Sequence, residues 1–398
     1  MAIPAQELTM QLLIGWLILL LSLAGHTELW VLAVNRSHAL PIKAYKLRKF
    51  RTVHDIAIVV FPLVLLLGTG LGETSLLRGG SVAQQPGWFQ LILGITIAGC
   101  IPLTIAILRW HFIRHGQFHS AVTREVVSAV SVKGDSARGR ARTLTKVWPW
   151  NEFCQIEFNQ KRVALSPKRL RPNGSNEPVR ILHLSDLHFI GCPGSAFYRC
   201  AVELALKQPL DLVVFTGDLI DEPALLPEAI EILRPLTSHA PCVFILGNHD
   251  WRYEFEQIRD DVEQSGWKCV TDQPLLTTVR GHRMLIAGSE MPWMREHPPA
   301  VTESGCDINL LLSHSPDQFK LARQLGYDLM LSGHTHGGQV VLPLIGPVYS
   351  PSLYGVSYAA GLFDLGPMTL HVSRGLGAKD PMRWRCRPEM TVLEVVVK

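Results

Sequence analysis

Aspartate, asparagine and histidine recur behind short apolar runs at five places in this chain of 398 residues. VRILHL is followed by S-D-L-H, with Asp186 and His188. DLVVFT leads into G-D-L-I-D, with Asp218 and Asp221. CVFIL leads into G-N-H-D, Asn248 to Asp250. INLLL ends in Ser313 and His314, and YDLML in G-H-T-H-G-G-Q, with His334 and His336. Carboxylate, amide and imidazole donors together suit Mn, Fe or Zn more than Ca, and no thiolate joins them. A lone D-x-H or a single histidine behind a strand is usually structural. Five such ends in one register, with glycines that admit close backbone approach, are hard to obtain by chance.

Something must bring these ends together. Each apolar run has strand length, and helix-length stretches such as Ser195–Lys207, Ala224–Arg234 and Trp251–Ser265 lie between the first four. That alternation predicts an α/β layered sheet. Ligands at the carboxyl ends of strands are where an open α/β sheet places its site.

At these residues the chain resembles the calcineurin-like metallophosphoesterases, whose signature runs D-x-H, G-D-x-x-D, G-N-H-D/E, a lone H and G-H-x-H in that order. All five occur between Asp186 and His336, and the resemblance covers about Val179 to Lys398. GHTHGGQ and the tail GLGAKDPMRWRCRPEM look like a bacterial, membrane-anchored branch, similar to UDP-2,3-diacylglucosamine hydrolase-like phosphodiesterases. The resemblance implies an α/β fold, a four-layer α/β/β/α sandwich, with two divalent metals at its edge and Mn favoured. Carried over position by position, Asp186, His188 and His336 would hold one metal and Asn248, His314 and His334 the other. Asp218 would bridge them. Paired metals clamp the attacking and leaving oxygens and activate water at neutral pH. His249 would stabilise the developing charge or protonate the leaving oxygen, with Asp250 orienting it. Asp221 is either a supporting residue or a turn residue.

The motifs imply phosphoester or diphosphate hydrolysis without choosing a substrate, because specificity lies in surrounding loops. Only 63 residues separate Asp250 from His314, which leaves no room for a large lid and favours an open site facing a bilayer. A lipid-linked substrate such as UDP-2,3-diacylglucosamine is the leading expectation. A broad phosphodiesterase or phosphatase for soluble substrates is the alternative. A non-catalytic membrane sensor or scaffold would not need the full ligand set and His249. Arg374, Lys379, Arg383, Arg385 and Arg387 are candidates for pairing with a diphosphate or lipid headgroups; surface solvation and local ion pairs explain them equally well.

Apolar residues make up 47% of the chain and charged residues 18%, which excludes a disordered chain. A net charge of +4 is too weak to argue for nucleic acid. Eight cysteines without a C-x-x-C pair suggest free thiols in a reducing compartment. The apolar excess sits before residue 110. Leu12 to Val34 is interrupted only by His26 and Glu28, Ile56 to Gly72 runs 17 residues without a charge, and Trp88 to Leu108 runs 21. About 20 apolar residues cross a hydrocarbon core. Met1 to Gln11 holds no basic residue, which argues against a signal peptide. His26 and Glu28 are expected at the membrane surface. Basic residues crowd Asn35–Asp55 and the stretch after Leu108, while the loop between the second and third runs holds only Arg78. That pattern predicts a multi-pass protein of the inner membrane with its catalytic domain in the cytoplasm. The expected organisation is a three-helix membrane region over 1–110, a linker and lead-in over 111–178 and the phosphoesterase domain over 179–398.

Overall fold

A computed structural model of the chain describes residues 5–116, 125–131, 143–144, 147–165, 177–294, 297–301 and 305–397. Most of the basic passage Ser128 to Lys146, and most of the proline-rich passage from Pro167 to Pro178, lies outside the described residues. The chain forms two units, Met1–His38 with Ile42–His111, and Ala39–Pro41 with Phe112–Lys398.

The first unit holds α1 (Ala5–His38), α2 (Ala44–Thr69), α3 (Gly87–Ala98) and α4 (Cys100–Gly116). Three stretches, Gln6–His38, Ala44–Thr69 and Gly87–Phe112, are long and apolar enough to cross a membrane. Leu13, Leu17, Leu63, Leu67, Leu91 and Ile95 stay exposed on their surfaces, as expected of helices that are apolar all round. Small residues let the helices touch. A Cβ on Gly25 would lie 1.8 Å from the Thr96 carbonyl oxygen, and one on Gly99 would lie 2.3 Å from the Gly25 carbonyl oxygen. Ser22 Oγ and Thr96 Oγ1 share a hydrogen bond of 2.5 Å at the same crossing. Glu28 is buried within this unit, and the His26 ring stacks on Phe61 at 3.7 Å.

The second unit contains β1 (Glu125–Ser131), β2 (Gln155–Leu165), β3 (Val179–Leu184), β4 (Leu212–Thr216), β5 (Cys242–Ile245), β6 (Lys268–Cys269), β7 (Leu275–Val279), β8 (His282–Ser289), β9 (Ile308–Ser313), β10 (Leu329–Ser332), β11 (Val341–Leu342), β12 (Gly346–Pro347), β13 (Gly361–Asp364), β14 (Thr369–Val372) and β15 (Glu389–Val397). One sheet runs β1-β2-β15-β3-β4-β5-β6 and a second β13-β14-β10-β9-β8-β7. Strands β3, β4 and β5 are parallel, as are β8, β9, β10 and β14. Strand periodicity sends alternate side chains to opposite faces. Leu182, Leu184, Val213, Phe215 and Phe244 pack with α5 (Ser195–Leu206), α6 (Leu226–Thr237) and α7 (Phe255–Gln264). Ile181, Leu212, Val214, Val243 and Ile245 meet Leu310, Leu312, Leu329 and Leu331 of the second sheet. On that sheet's outer face, Leu311, Met330 and Leu370 pack with Phe319 and Ala322 of α8 (Phe319–Leu325). Three apolar layers therefore separate four layers of structure, α/β/β/α. Burial on both faces is why the parallel strands read as unbroken apolar runs.

The lead-in expected over 111–178 contains part of this fold. Strand β2 pairs in parallel with β15 along Glu157–Leu165, so the sheet begins ahead of Val179. Hydrophobic periodicity could not find it, because Glu157, Asn159 and Lys161 are polar and yet buried. They are satisfied from the far end of the chain: Arg374 pairs with Glu157, Asn159 donates to Glu389, and Lys161 bonds His371.

Candidate active site

Strands from both sheets deliver the polar ends to one edge. Asp186 and His188 follow β3, Asp218 and Asp221 follow β4, Asn248 to Asp250 follow β5, His314 follows β9, and His334 and His336 follow β10. The backbone there is strained. Asp186 (φ 52°), His188 (47°), Asp218 (61°), His334 (71°) and His336 (51°) all take left-handed conformations that L-residues rarely adopt. Each such residue costs about 1–3 kcal/mol, and such strain clusters at functional sites. Two glycines make room. A Cβ on Gly333 would lie 2.1 Å from Asp186 Oδ2, and one on Gly247 would lie 2.2 Å from Asp218 Oδ1.

Three groups of donors result among the described residues, two of them built from expected ligands. Single donor atoms of Asp186, His188 and His336 lie within 4.8 Å of one another, as do those of Asp218, His314 and His334. Asn248 Oδ1 joins the second group, 3.0 Å from His314 Nε2. Asp218 Oδ2 stands 3.4 Å from His188 Nε2 and 3.4 Å from His314 Nε2, between the two groups.

The residues present fit divalent cations by their hydrogen bonding. His314 Nδ1 donates to the Thr216 carbonyl oxygen at 2.8 Å, and a carbonyl can only accept. The His314 Nε2 then faces Asn248 Oδ1 and Asp218 Oδ2, acceptors both, so that side of the ring needs either a proton or a metal ion. His188 Nδ1 donates to Asp221 Oδ2 at 2.8 Å, which turns its Nε2 toward His336 Nε2 at 3.1 Å and toward Asp218. Acceptors face acceptors around His314, a position for a cation; around His188, Arg383 Nη2 lies 3.4 Å from His336 Nδ1, so the neutral His336 ring carries its proton on Nε2 toward His188 and a metal ion would take that proton's place. Donation of the second ring N–H to a carboxylate or carbonyl, as His188 and His314 make, is the usual support of a ligating histidine. Among the described residues no lysine or arginine pairs with Asp186 or Asp218. Burial opposes a charge on His314, yet the neighbouring Asp218 and Asp186 carboxylates push its pKa up to about 9. The cluster draws positive charge.

His249 lies at the mouth, its side chain 14% exposed. Asp250 does not orient it, contrary to expectation. The Asp250 carboxylate turns back into the fold, accepting backbone N–H bonds from Asp218, Leu219, Ile220 and Gly247. Burial, with Asp218 adding to it, pushes Asp250 up to about 7, while these N–H donors favour the ionised form. The residue that holds His249 is Asp221, whose Oδ1 is 2.5 Å from His249 Nδ1. Asp221 thus clamps a candidate ligand with one oxygen and His249 with the other. Burial would raise its pKa, but the bonds to His188 and His249 hold it below the usual carboxylate range. Arg252 Nη1 is 3.1 Å from the same His249 nitrogen. Because that nitrogen carries the proton shared with Asp221, the contact joins two donors and leaves the guanidinium available to an anion. Asp221→Asn should therefore lower turnover and metal retention together, each by about 10–100-fold. Metal content and kcat measured on one preparation check this, and loss of only one would contradict the shared role.

The C-terminal arginines are mostly scaffold. Arg383 is fully buried and donates to the carbonyl oxygens of His336, Arg374 and Gly377 at 3.1, 2.7 and 2.6 Å. Arg374 pairs with Glu389 and Glu157, and Arg387 with Glu152. The tail must close over the ligand loops, and its Leu376 and Gly377 N–H groups bond the Ser185 and Asp186 carbonyl oxygens. Lys379 and Arg385 are exposed. Trp293, not singled out in the sequence, packs its ring against His314 and His334, with centroids 5.6 and 4.8 Å away. It sits outside every motif, so no spacing pointed to it.

Residues 179–338 match the family model described as calcineurin-like phosphoesterase. The chain is 32% identical over 225 residues to "Phosphodiesterase YaeI" of Escherichia coli strain K12, covering 55% of this chain and 83% of that protein. It is 33% identical over 232 residues to the metallophosphoesterase YkuE of Bacillus subtilis strain 168, covering 56% and 80%. A bovine "Transmembrane protein with metallophosphoesterase domain" is 28% identical over 263 residues, covering 58% of this chain and 55% of that one.

Proposed function

This chain belongs to the calcineurin-like phosphoesterase family and is a metal-dependent phosphoester hydrolase; from that premise, we propose a membrane-anchored phosphodiesterase with two cations at the strand ends and a lipid-linked substrate at the cytoplasmic face. The observation that supports the dinuclear reading is Asp218, whose Oδ2 lies 3.4 Å from His188 Nε2 of one donor group and 3.4 Å from His314 Nε2 of the other. Asp186, His188 and His336 would hold one ion, and Asn248, His314 and His334 the other, with Asp218 serving both. Bound there, the ions supply Lewis acidity toward the phosphoryl oxygens and toward water.

The remaining work falls to side chains at the mouth. Asp221 fixes the proton on His249 Nδ1, leaving Nε2 as the nitrogen that exchanges a proton with the leaving oxygen. The Arg252 guanidinium beside it suits a non-bridging phosphate oxygen. The name of one relative, a phosphodiesterase, supports diesters over monoesters. Three membrane-length helices on the same chain favour a substrate with a lipid tail, for which a diphosphate of the UDP-2,3-diacylglucosamine type is the specific candidate. Full-length protein in mixed micelles should hydrolyse a chromogenic phosphodiester, and the lipid-linked diphosphate faster. A soluble diester cleaved better than any lipid would sink the lipid assignment and leave the chemistry standing.

Orientation is a separate expectation. Six cations in Asn35–Asp55 against Arg78 alone in the following loop should keep the first segment, and hence everything after α4, inside. A reporter fused behind β15 should be active only as a cytoplasmic reporter. Activity of a periplasmic reporter there would overturn the three-span topology and the nucleotide-lipid candidate with it.

A further inference from the structure

Polar side chains continue from the ligand cluster into the space between the sheets as far as Lys161, whose Nζ also lies 3.8 Å from Glu389 Oε1. Lys161 Nζ on β2 lies 2.9 Å from His371 Nε2 on β14. His371 Nδ1 lies 2.8 Å from His183 Nδ1 on β3, and His183 Nε2 lies 3.0 Å from Thr216 Oγ1 at the end of β4. Thr216 Oγ1 donates to Ser185 Oγ at 2.7 Å, and Ser185 Oγ to Asp186 Oδ2 at 2.5 Å. His371, His183, Thr216, Ser185 and Asp186 are fully buried, and Lys161 is 8% exposed.

The two ends of this chain fix every link in it. An ammonium can only donate and a carboxylate can only accept. His371 Nε2 must therefore accept from Lys161, so His371 Nδ1 carries its proton and donates to His183 Nδ1. His183 then carries its proton on Nε2 and donates to Thr216, whose hydroxyl passes the same sense on to Ser185 and Asp186. All five bonds point one way, from a cation to a carboxylate. Hydrogen bonds aligned in this manner polarise one another in a low-dielectric interior. Burial keeps both imidazoles neutral, His183 at a pKa of about 3.

We propose that Lys161, acting through His371, His183, Thr216 and Ser185, is a positioning residue for Asp186 that decides which of its oxygens faces the cation. Ser185 occupies Oδ2. The His334 N–H reaches both oxygens, at 2.9 Å from Oδ1 and 3.0 Å from Oδ2, so the Ser185 bond is what distinguishes them, and Oδ1 faces His336 Nε2 at 3.7 Å and His188 Nε2 at 3.9 Å. The inference rests on the reading of Asp186 as a ligand. It brings in Lys161 and His371, both outside the segment 179–338 that matches the family model. A relay that only stapled the two sheets together would contribute to stability and leave metal affinity alone.

Full-length protein in lipid nanodiscs carries the test, with Mn2+ as the probe and a fluorescent chelator as competitor. Lys161→Met removes the donor, and Thr216→Val breaks the chain beside Asp186 with little change of shape, keeping the carbonyl that His314 uses. Both should weaken Mn2+ binding at one of two sites by about 10–100-fold, the usual cost of losing a supporting partner. Lys161→Arg should restore most of it. Histidine ring 15N shifts supply a second readout: wild-type protein should show His371 protonated at Nδ1 and His183 at Nε2, and Lys161→Met should reverse that pattern. Wild-type Mn2+ affinity in both folded variants would overturn the proposal. If Lys161→Met fails to fold, Thr216→Val decides alone. Wild-type protein that binds no Mn2+ would instead sink Asp186 as a ligand, while the 15N pattern would still report whether the relay exists.

Discussion

Asp218→Asn is expected to reduce phosphodiester hydrolysis below detection and to empty both cation positions. The Asp218 carboxylate stands 3.4 Å from His188 Nε2 in one donor group and 3.4 Å from His314 Nε2 in the other. Its carboxylate therefore offers charge to both groups at the same distance. Its pKa, which burial alone would raise, is held well below the carboxylate range by His314, His249 and His188, so it is ionised at neutral pH. Asparagine keeps the shape and removes that charge from a fully buried site. The loss should exceed the roughly 10–100-fold that follows removal of an outer supporting partner. His314→Ala, by contrast, should deplete one position only. Wild-type metal content in purified Asp218→Asn would sink the bridging assignment.

His249→Ala should behave differently: kcat falling by about 10²–10⁴ with metal content near that of the wild type. His249 reaches Asp218 Oδ1 through its backbone N–H at 2.7 Å, and alanine keeps that bond. Its ring makes the Asp221 contact that leaves Nε2 for the substrate. A rival assignment exists, because donor atoms of His188, Asp221 and His249 also lie within 4.8 Å of one another. That group is already satisfied internally, since the two Asp221 oxygens each take one imidazole N–H. Metal and rate lost in parallel in His249→Ala would favour the rival.

The strand ends were legible because strands buried on both faces read as apolar runs, and ligands can only follow where such runs stop. An α/β layered sheet followed from the same pattern, and the four-layer α/β/β/α arrangement from the family resemblance. What escaped was polar and buried. Strand β2 hid because Glu157, Asn159 and Lys161 face the interior with partners more than two hundred residues away. Asp250 looked like the support for His249 by adjacency, but the carboxylate faces the backbone of the β4 turn, taking three N–H bonds there and a fourth from Gly247. Asp221 holds the histidine from the neighbouring strand's loop, a relation that sequence distance conceals. The arginines of the tail carried the same ambiguity. A guanidinium buried against carbonyl oxygens and one reaching for phosphate have the same sequence, and only the closing of the tail over Ser185 and Asp186 separates them.

Metal content and turnover measured together on the full-length protein test the dinuclear phosphodiesterase most directly. Protein purified in detergent with divalent cations present should carry two ions per chain and hydrolyse a chromogenic phosphodiester. Exhaustive chelation should abolish turnover, and back-titration should restore it only as the second equivalent binds. Full turnover at one ion per chain, or turnover that survives removal of all metal, would contradict it.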